Sequence, residues 1–450
     1  HTSAFLVAIL GRPVRMPKFI VSITSLLVGT FLFLIGHGLA GTLLTLRAAE
    51  ENYSDLMIGI MMASYYGGYV IGTFIGPSLI NRIGHIRLFS ASAAIAGTII
   101  IVHGLILSDW VWTVLRLVYG IVIVMLYLAI ESWLNANSDQ HIRGRVFALY
   151  MFVNLMALAL GQLLLQLSAV GNLELFAIAA AFFSLSLVPL TLTRHPEPSK
   201  VDEVDSDLKL LINSAPLGLV ACLMSGIAGG AFWSLGPLFT YRVGLDVAQT
   251  GMYMSAAIIG GAILQWPLGH WSDRKDRRKL IAVMAFASAL IALVTLFIGQ
   301  LGTTFLILTA FFYGGFYLTI YPLSVAYSND RNPPEKILLV GSSLLLTYGV
   351  GAIIGPLVGG LLMEISGPYS LPLLYVFCWG FLGVYSLVVI AREKPVPADE
   401  TDTFAPALRT TTIAIEAHAE DIFDQMDEQD SELDVVNSSD VKDALRSTEE

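Results

Sequence analysis

Arg116 and Glu131 stand fifteen residues apart on one apolar run, which begins near Trp110 and includes IVIVMLYLAI. His37 lies between two glycines in a second such run, LIGHGLAG. A charge in hydrocarbon costs on the order of several kcal/mol, so a chain keeps one there with a partner or a purpose. Arginine stays protonated, so Arg116 needs an anionic ligand, a carboxylate or backbone carbonyls. Three readings fit Glu131: a gate carboxylate that pairs with Arg82, Arg87, Arg143 and Arg145 when the inner side is closed, a proton carrier, or an interfacial side chain that snorkels to water. His37 either titrates and moves protons or packs as a neutral ring with one hydrogen bond. His103 reads as structural.

The remaining candidates are weakly polar. Asn154 and Tyr348 lie near the middle of separate apolar runs, and Trp233, Tyr313 and Tyr317 add amphipathic rings. Such rings with few charges suit a moderately hydrophobic organic solute. No dense carboxylate cluster offers a place for a metal or a multivalent cation, and no cofactor is expected. Cys222 and Cys378 sit singly in apolar runs and read as small buried hydrophobes. The sequence has no HExxH, no Gly-x-Ser-x-Gly and no phosphate-binding P-loop, which argues against an enzyme and against an ATP-driven pump.

These residues need elements to hold them. Of the 450 residues, 55% are hydrophobic and 13% charged, against about 25% charged in a soluble domain. Twelve stretches are long and apolar enough to span a bilayer: about 19–46, 56–80, 87–107, 110–136, 144–168, 173–193, 213–241, 248–270, 279–299, 302–328, 337–363 and 369–391. The fifth and sixth are the least cleanly separated. With the first loop outside, nineteen Lys and Arg residues fall on the inner side, against Arg47 and Arg242 on the outer. The positive-inside rule then places both termini in the cytoplasm of a plasma-membrane protein. In this frame Glu131 lies ~12 Å inward of the midplane of its helix.

Residues 1–16 read as an N-terminal extension, with Met16 a candidate start. Residues 17–194 and 213–392 form two six-helix halves around a polar linker, 195–212. Residues 393–450 form an acidic cytoplasmic tail. The stretch 395–450 carries a charge of -13, and the rest of the chain about +3. The tail reads as mostly disordered. Its alternative is a docking helix for a cytoplasmic partner, with Ile422, Phe423 and Met426 on one face. No nucleic-acid partner is expected.

The halves resemble each other. GTLLTLR (41–47) matches GPLFTYR (236–242), and LYLAIESWLNANSD (126–139) matches FYLTIYPLSVAYSN (316–329). ALGQLLLQL (159–167) matches IIGPLVGGL (353–361), and NRIGHIR (81–87) matches DRKDRRK (273–279). Offsets of 190 to 195 residues place all four in register. Gly68, Gly72 and Gly76 recur every four residues, as do Gly351, Gly355 and Gly359. Small residues so spaced let helices approach closely, as static packing or as faces that slide.

At this point the chain resembles the major facilitator superfamily over about 17–392. GHWSDRKDRRK carries that family's loop signature as Gly269, Asp273, Arg274, Arg277 and Arg278, with Asp276 where a glycine is usual. The first copy, GPSLINRIGHIR, has Asn81 in place of the aspartate. RLVYG is similar to the family's Arg-x-x-x-Gly motif, at Arg116 and Gly120. ESWLNANSDQHIRGRVFALYMFVN looks like a YcaD-like bacterial subgroup. GPLVGG lies on the eleventh helix, whereas the family's antiporter signature belongs on the fifth, so export is not read from it.

The resemblance implies an all-α fold of twelve transmembrane helices in two six-helix pseudo-repeats. It also implies a cytoplasmic gate at the basic loops and a proton-coupling role for Arg116. The first and fourth helices of each half would line the cavity, which puts His37, Arg116, Trp233 and Tyr313 there. The expected function is secondary active transport of a small organic solute by alternating access, coupled to protons. The alternative is a membrane sensor or scaffold of this fold that signals through its acidic tail. Substrate, direction, coupling mode and oligomeric state do not follow from the sequence.

Overall fold

The computed structural model describes residues 17–138, 143–193, 200–201, 205–272, 275–298, 302–393 and 410–411. The first six long helices are α1 (Pro17–Glu50), α2 (Asp55–Ile83), α3 (His85–Leu105), α4 (Asp109–Ala136), α5 (Arg143–Leu163) and α6 (Leu173–Leu192). The second six are α7 (Pro216–Arg242), α8 (Val247–Ser272), α9 (Arg277–Ile298), α10 (Thr303–Asn329), α11 (Ile337–Ser366) and α12 (Ser370–Arg392). A short helix, Leu208–Ser214, precedes α7, and the described residues include no strand. All twelve long helices can cross a membrane by length and composition. Helices suit that setting because each satisfies its own backbone amides without water.

Local chemistry sets the helix ends. Ser54 Oγ accepts from the amide of Met57 (3.1 Å) to cap α2. Gly84 closes the same helix at φ +84°, where a side chain would be strained. After α5 the chain tightens into the 3-10 turn Leu164–Leu167 before α6 begins, the same place where the apolar pattern is weakest.

In the first six helices, α2 lies along α4, α1 on α5 and α6, and α3 on α6. In the second six, α11 lies along α7, α10 on α8, and α12 on α9. Both glycine stripes pack inside their own set. Carbon added at Gly68 would meet the Leu117 carbonyl of α4, and at Gly72 the Val124 side chain. Gly351 and Gly355 are pressed in the same way against the Leu223 and Ile227 carbonyls of α7.

The two sets meet where α2 begins and α11 ends. Gly59 abuts Pro356 and Gly360, and a Cβ at Gly360 would stand 2.6 Å from the Asp55 carbonyl. Arg242 of α7 reaches Asp55 through Nε (3.1 Å) and Nη2 (2.7 Å). The Glu364 carboxylate accepts from the amide of Asp55 (2.8 Å). Thr45 Oγ1 donates to the Ser234 carbonyl (3.0 Å), and Ser255 Oγ to that of Ala159 (2.9 Å). All of these contacts lie toward the Asp55 end.

At the opposite end the linker returns to both sets. Asn81 and Val201 exchange two bonds, amide to Oδ1 (2.9 Å) and Nδ2 to carbonyl (2.7 Å). The amide of Asp207 donates to Ser343 Oγ of α11 (2.8 Å).

Candidate functional site

Between the two sets lies a cavity of about 280 Å³. Its walls come from both sets: His37 and Thr42 of α1, Arg116 and Tyr127 of α4, and Trp233 and Ser234 of α7. Asn154 and Gln162 of α5 and Tyr348 of α11 also line it. Three tyrosines of α2, Tyr65, Tyr66 and Tyr69, form one wall. The glycine face of α2 is turned onto α4, and this rotation presents the tyrosines to the cavity.

The polar groups form two small networks toward the closed end. His37 Nδ1 pairs with the hydroxyl of Tyr119 (3.0 Å), and the two rings stack at 5.8 Å. Thr42 Oγ1 donates to Gln162 Oε1 (2.5 Å), and Gln162 Nε2 to the Gly38 carbonyl (3.0 Å). Arg116 is 5% exposed. Its guanidinium lies 4.6 Å from the Tyr65 ring and 5.5 Å from that of Tyr119. Nη2 has the thioether of Met62 at 3.2 Å, while Nε and Nη1 are buried without a hydrogen-bond partner.

Five of the aromatic and polar candidates line the cavity: His37, Arg116, Asn154, Trp233 and Tyr348. Tyr313 and Tyr317 do not. They stack on each other at 5.0 Å and lie against Phe232 of α7 and Tyr375 and Trp379 of α12. Trp379 Nε1 donates to the Tyr313 hydroxyl (3.1 Å). That face of α10 is turned into its own six-helix set, where aromatic packing fills the core. His103 is fully buried, with Nδ1 at 2.7 Å from the Ile99 carbonyl.

Glu131 is fully buried. In this state its described partners are hydroxyls. Tyr150 donates to Oε1 (2.8 Å), and Thr411 of the tail donates to Oε2. Arg82, Arg87 and Arg145 are exposed, and Arg143 is half-buried. The carboxylate faces inward beneath the helix ends, out of line with those solvated side chains. Beside it the hydroxyl of Tyr69 donates to the Thr410 carbonyl (2.7 Å), and Thr410 itself borders the cavity.

The basic loop after α8 is bonded within its own set. Arg277 pairs with Asp330 at the end of α10 (3.1 Å), and both are nearly sealed from water. Arg278 grips Asp276 through Nε (2.9 Å) and Nη2 (2.7 Å), and donates to the Glu393 carbonyl (2.7 Å). These bonds join helices of one set. Burial alone would raise the Asp276 carboxyl, but the hydrogen bonds and charge of Arg278 outweigh it and hold the group below its ordinary value. Gly269 is buried at the end of α8, and Asp273 and Arg274 lie outside the described residues, as do Ile422, Phe423 and Met426.

Sequence reasoning missed Tyr65, Tyr66, Tyr69, Tyr119 and Gln162. The signal for three of them was SYYGGYV, in which tyrosines stand opposite the glycine stripe of the same helix.

Known proteins resemble the chain in sequence and in fold. The family described as Major Facilitator Superfamily matches residues 26–337 and 218–420. The chain is 28% identical over 373 residues to an uncharacterised MFS-type transporter, YcaD, of Escherichia fergusonii, covering 82% of this chain and 95% of that one. It is 27% identical over 381 residues to an uncharacterised MFS-type transporter of Enterobacter sp., covering 83% and 96%. Among solved structures, the nucleoside transporter NupG superposes with a TM-score of 0.67 at 14% identity, covering 82% of this chain and 98% of that one. A variant of the same transporter gives a TM-score of 0.71 at 14% identity, covering 82% and 100%.

Proposed function

The chain belongs to the Major Facilitator Superfamily, and from that premise we propose that it carries a small organic solute across the plasma membrane by alternating access, driven by protons. The observation that carries this reading is the cavity between two six-helix sets that are bonded to each other at the Asp55 end. A carrier needs a site sealed on one side at a time. We take 17–194 and 213–392 as the rocking halves and 195–212 as their link. The loop charges support a cytoplasmic location for both termini, which makes the Asp55 end extracellular and this state cytoplasm-facing.

Three groups support proton coupling by their placement. His37 and Arg116 stand in the cavity wall, and Glu131 is enclosed between Tyr150 and the tail. Intramembrane ionisable groups are characteristic of proton paths. The likeness to NupG is one of fold and carries no substrate.

The test is uptake by proteoliposomes of the full chain, with and without an imposed pH gradient, over sugars, organic acids, amino acids, nucleosides and dyes. Accumulation that follows the gradient is expected. Flux indifferent to it would remove the proton roles of His37 and Glu131. The bond from Thr411 to Glu131 favours a second reading, a sensor of this fold that signals through its tail. No flux of any solute from folded protein would move the weight there.

A further inference from the structure

Arg116 is the one charged side chain among the described residues lining the cavity. It is 5% exposed, and two of its nitrogens have no hydrogen-bond partner. The nearest carboxylates on its own helix, Asp109 and Glu131, are about 10 and 22 Å away along the axis. Asp109 is already bonded to the amide of Trp110 (2.8 Å), and Glu131 to Tyr150 and Thr411. The faces of Tyr65 and Tyr119 and the thioether of Met62 lie against it. The attraction of a ring face for a cation is weaker than the cost of burying a charge without a counter-ion. The folded protein therefore holds a fixed positive charge beside a cavity with no negative charge in its described wall.

We propose that this cavity receives a planar organic monocarboxylate, whose carboxylate supplies the counter-charge that the protein withholds from Arg116. The inference rests on the carrier reading and gives it a substrate class. One cation balances one anion, and a second negative charge on the solute would be buried without a partner. Guanidinium and carboxylate match in shape and hydrogen bonding. The body of the solute faces Tyr65, Tyr66, Tyr69, Tyr127, Trp233 and Tyr348. Such walls favour a flat ring that can stack. A volume of about 280 Å³ suits a solute of modest size.

The test compares acids with their neutral amides on the purified full-length protein. The probes are benzoate, cinnamate and indole-3-acetate, each against its carboxamide. Binding is read by thermal shift and by quenching of tryptophan fluorescence. The expected result is that at least one acid binds about tenfold or more tightly than its amide. Arg116→Gln should abolish that preference and Arg116→Lys should keep part of it. A merely structural arginine would leave the acid-to-amide ratio unchanged in any variant that folds. The proposal is overturned by amides binding as well as acids, by no binding of any acid, or by a preference that survives in Arg116→Gln. If Arg116→Gln does not fold, the wild-type ratio and Arg116→Lys decide between the same outcomes. Proteoliposomes of the same preparations separate the two readings. Acid-selective binding without flux would retire the carrier and keep the site. Flux of neutral solutes without acid preference would retire the site and keep the carrier.

Discussion

Glu131 accepts a hydrogen bond on each oxygen, from Tyr150 and from Thr411. A glutamine there can keep one of the two acceptors and presents a donor to the other hydroxyl. Glu131→Gln is therefore expected to leave the helices assembled but to cut gradient-driven accumulation by about tenfold or more. Counterflow without a gradient should continue. Equal loss in both assays would mean that the residue holds the fold and carries no proton. Asp276 gives a second expectation, at the basic loop. Its folded pKa lies below the ordinary value of about 3.9. The stability it adds is present above that value and is lost as pH falls through the depressed one. Asp276→Asn should therefore lower the melting temperature at pH 7, and the gap to wild type should close in acid. A gap that stays constant with pH would show that the ion pair with Arg278 contributes nothing.

The helices themselves were legible because each is an apolar run long enough to cross hydrocarbon. The expected 56–80 appears as Asp55–Ile83, and 302–328 as Thr303–Asn329. The rotation of a helix about its axis was harder to read, because uniformly apolar helices show no polar face. Tyr313 and Tyr317 were expected in the cavity by helix order, yet α10 turns them toward Trp379. Three of the tyrosines that do line it, Tyr65, Tyr66 and Tyr69, come from α2, a helix whose glycines alone attracted notice. The contact between Thr411 and Glu131 joins residues 280 apart through no pattern in the chain. Two glycines of α2 now predict opposite behaviour. Gly68→Val would wedge α2 from α4 inside one half and destabilise the fold by about 1–3 kcal/mol or more, read as a lower melting temperature. Gly59→Val would instead push α2 from α11 across the halves. In that background Thr45→Cys should become open to a membrane-impermeant maleimide added from the Asp55 face. Unchanged labelling would show that this crossing does not seal the closed end.

On the scale of the whole molecule, two remote segments converge on the end opposite that seal. Thr410 borders the cavity and Thr411 is bonded to Glu131, so the tail stands in the path a solute would take. Removing residues 394–450 is expected to raise the initial rate of uptake severalfold while leaving the solute preference unchanged. Uptake measured side by side with the full chain checks this, and an equal or slower rate would deny the tail any obstructing role. The linker acts differently. Asn81 holds Val201 beneath α2, and Ser343 holds the amide of Asp207 on α11. Six peptide units separate the two anchors, and a chain of that length reaches about 20 Å at full extension. While both anchors hold, the linker is a leash: it sets the greatest stroke by which the ends of α2 and α11 can part. Six Gly and Ser residues inserted between Val201 and Asp207 should lengthen that stroke, seen as a broader distance distribution between spin labels on the two helix ends. With the leash at its natural length, the two anchor points can part by no more than about 20 Å, whatever the rest of the molecule would allow.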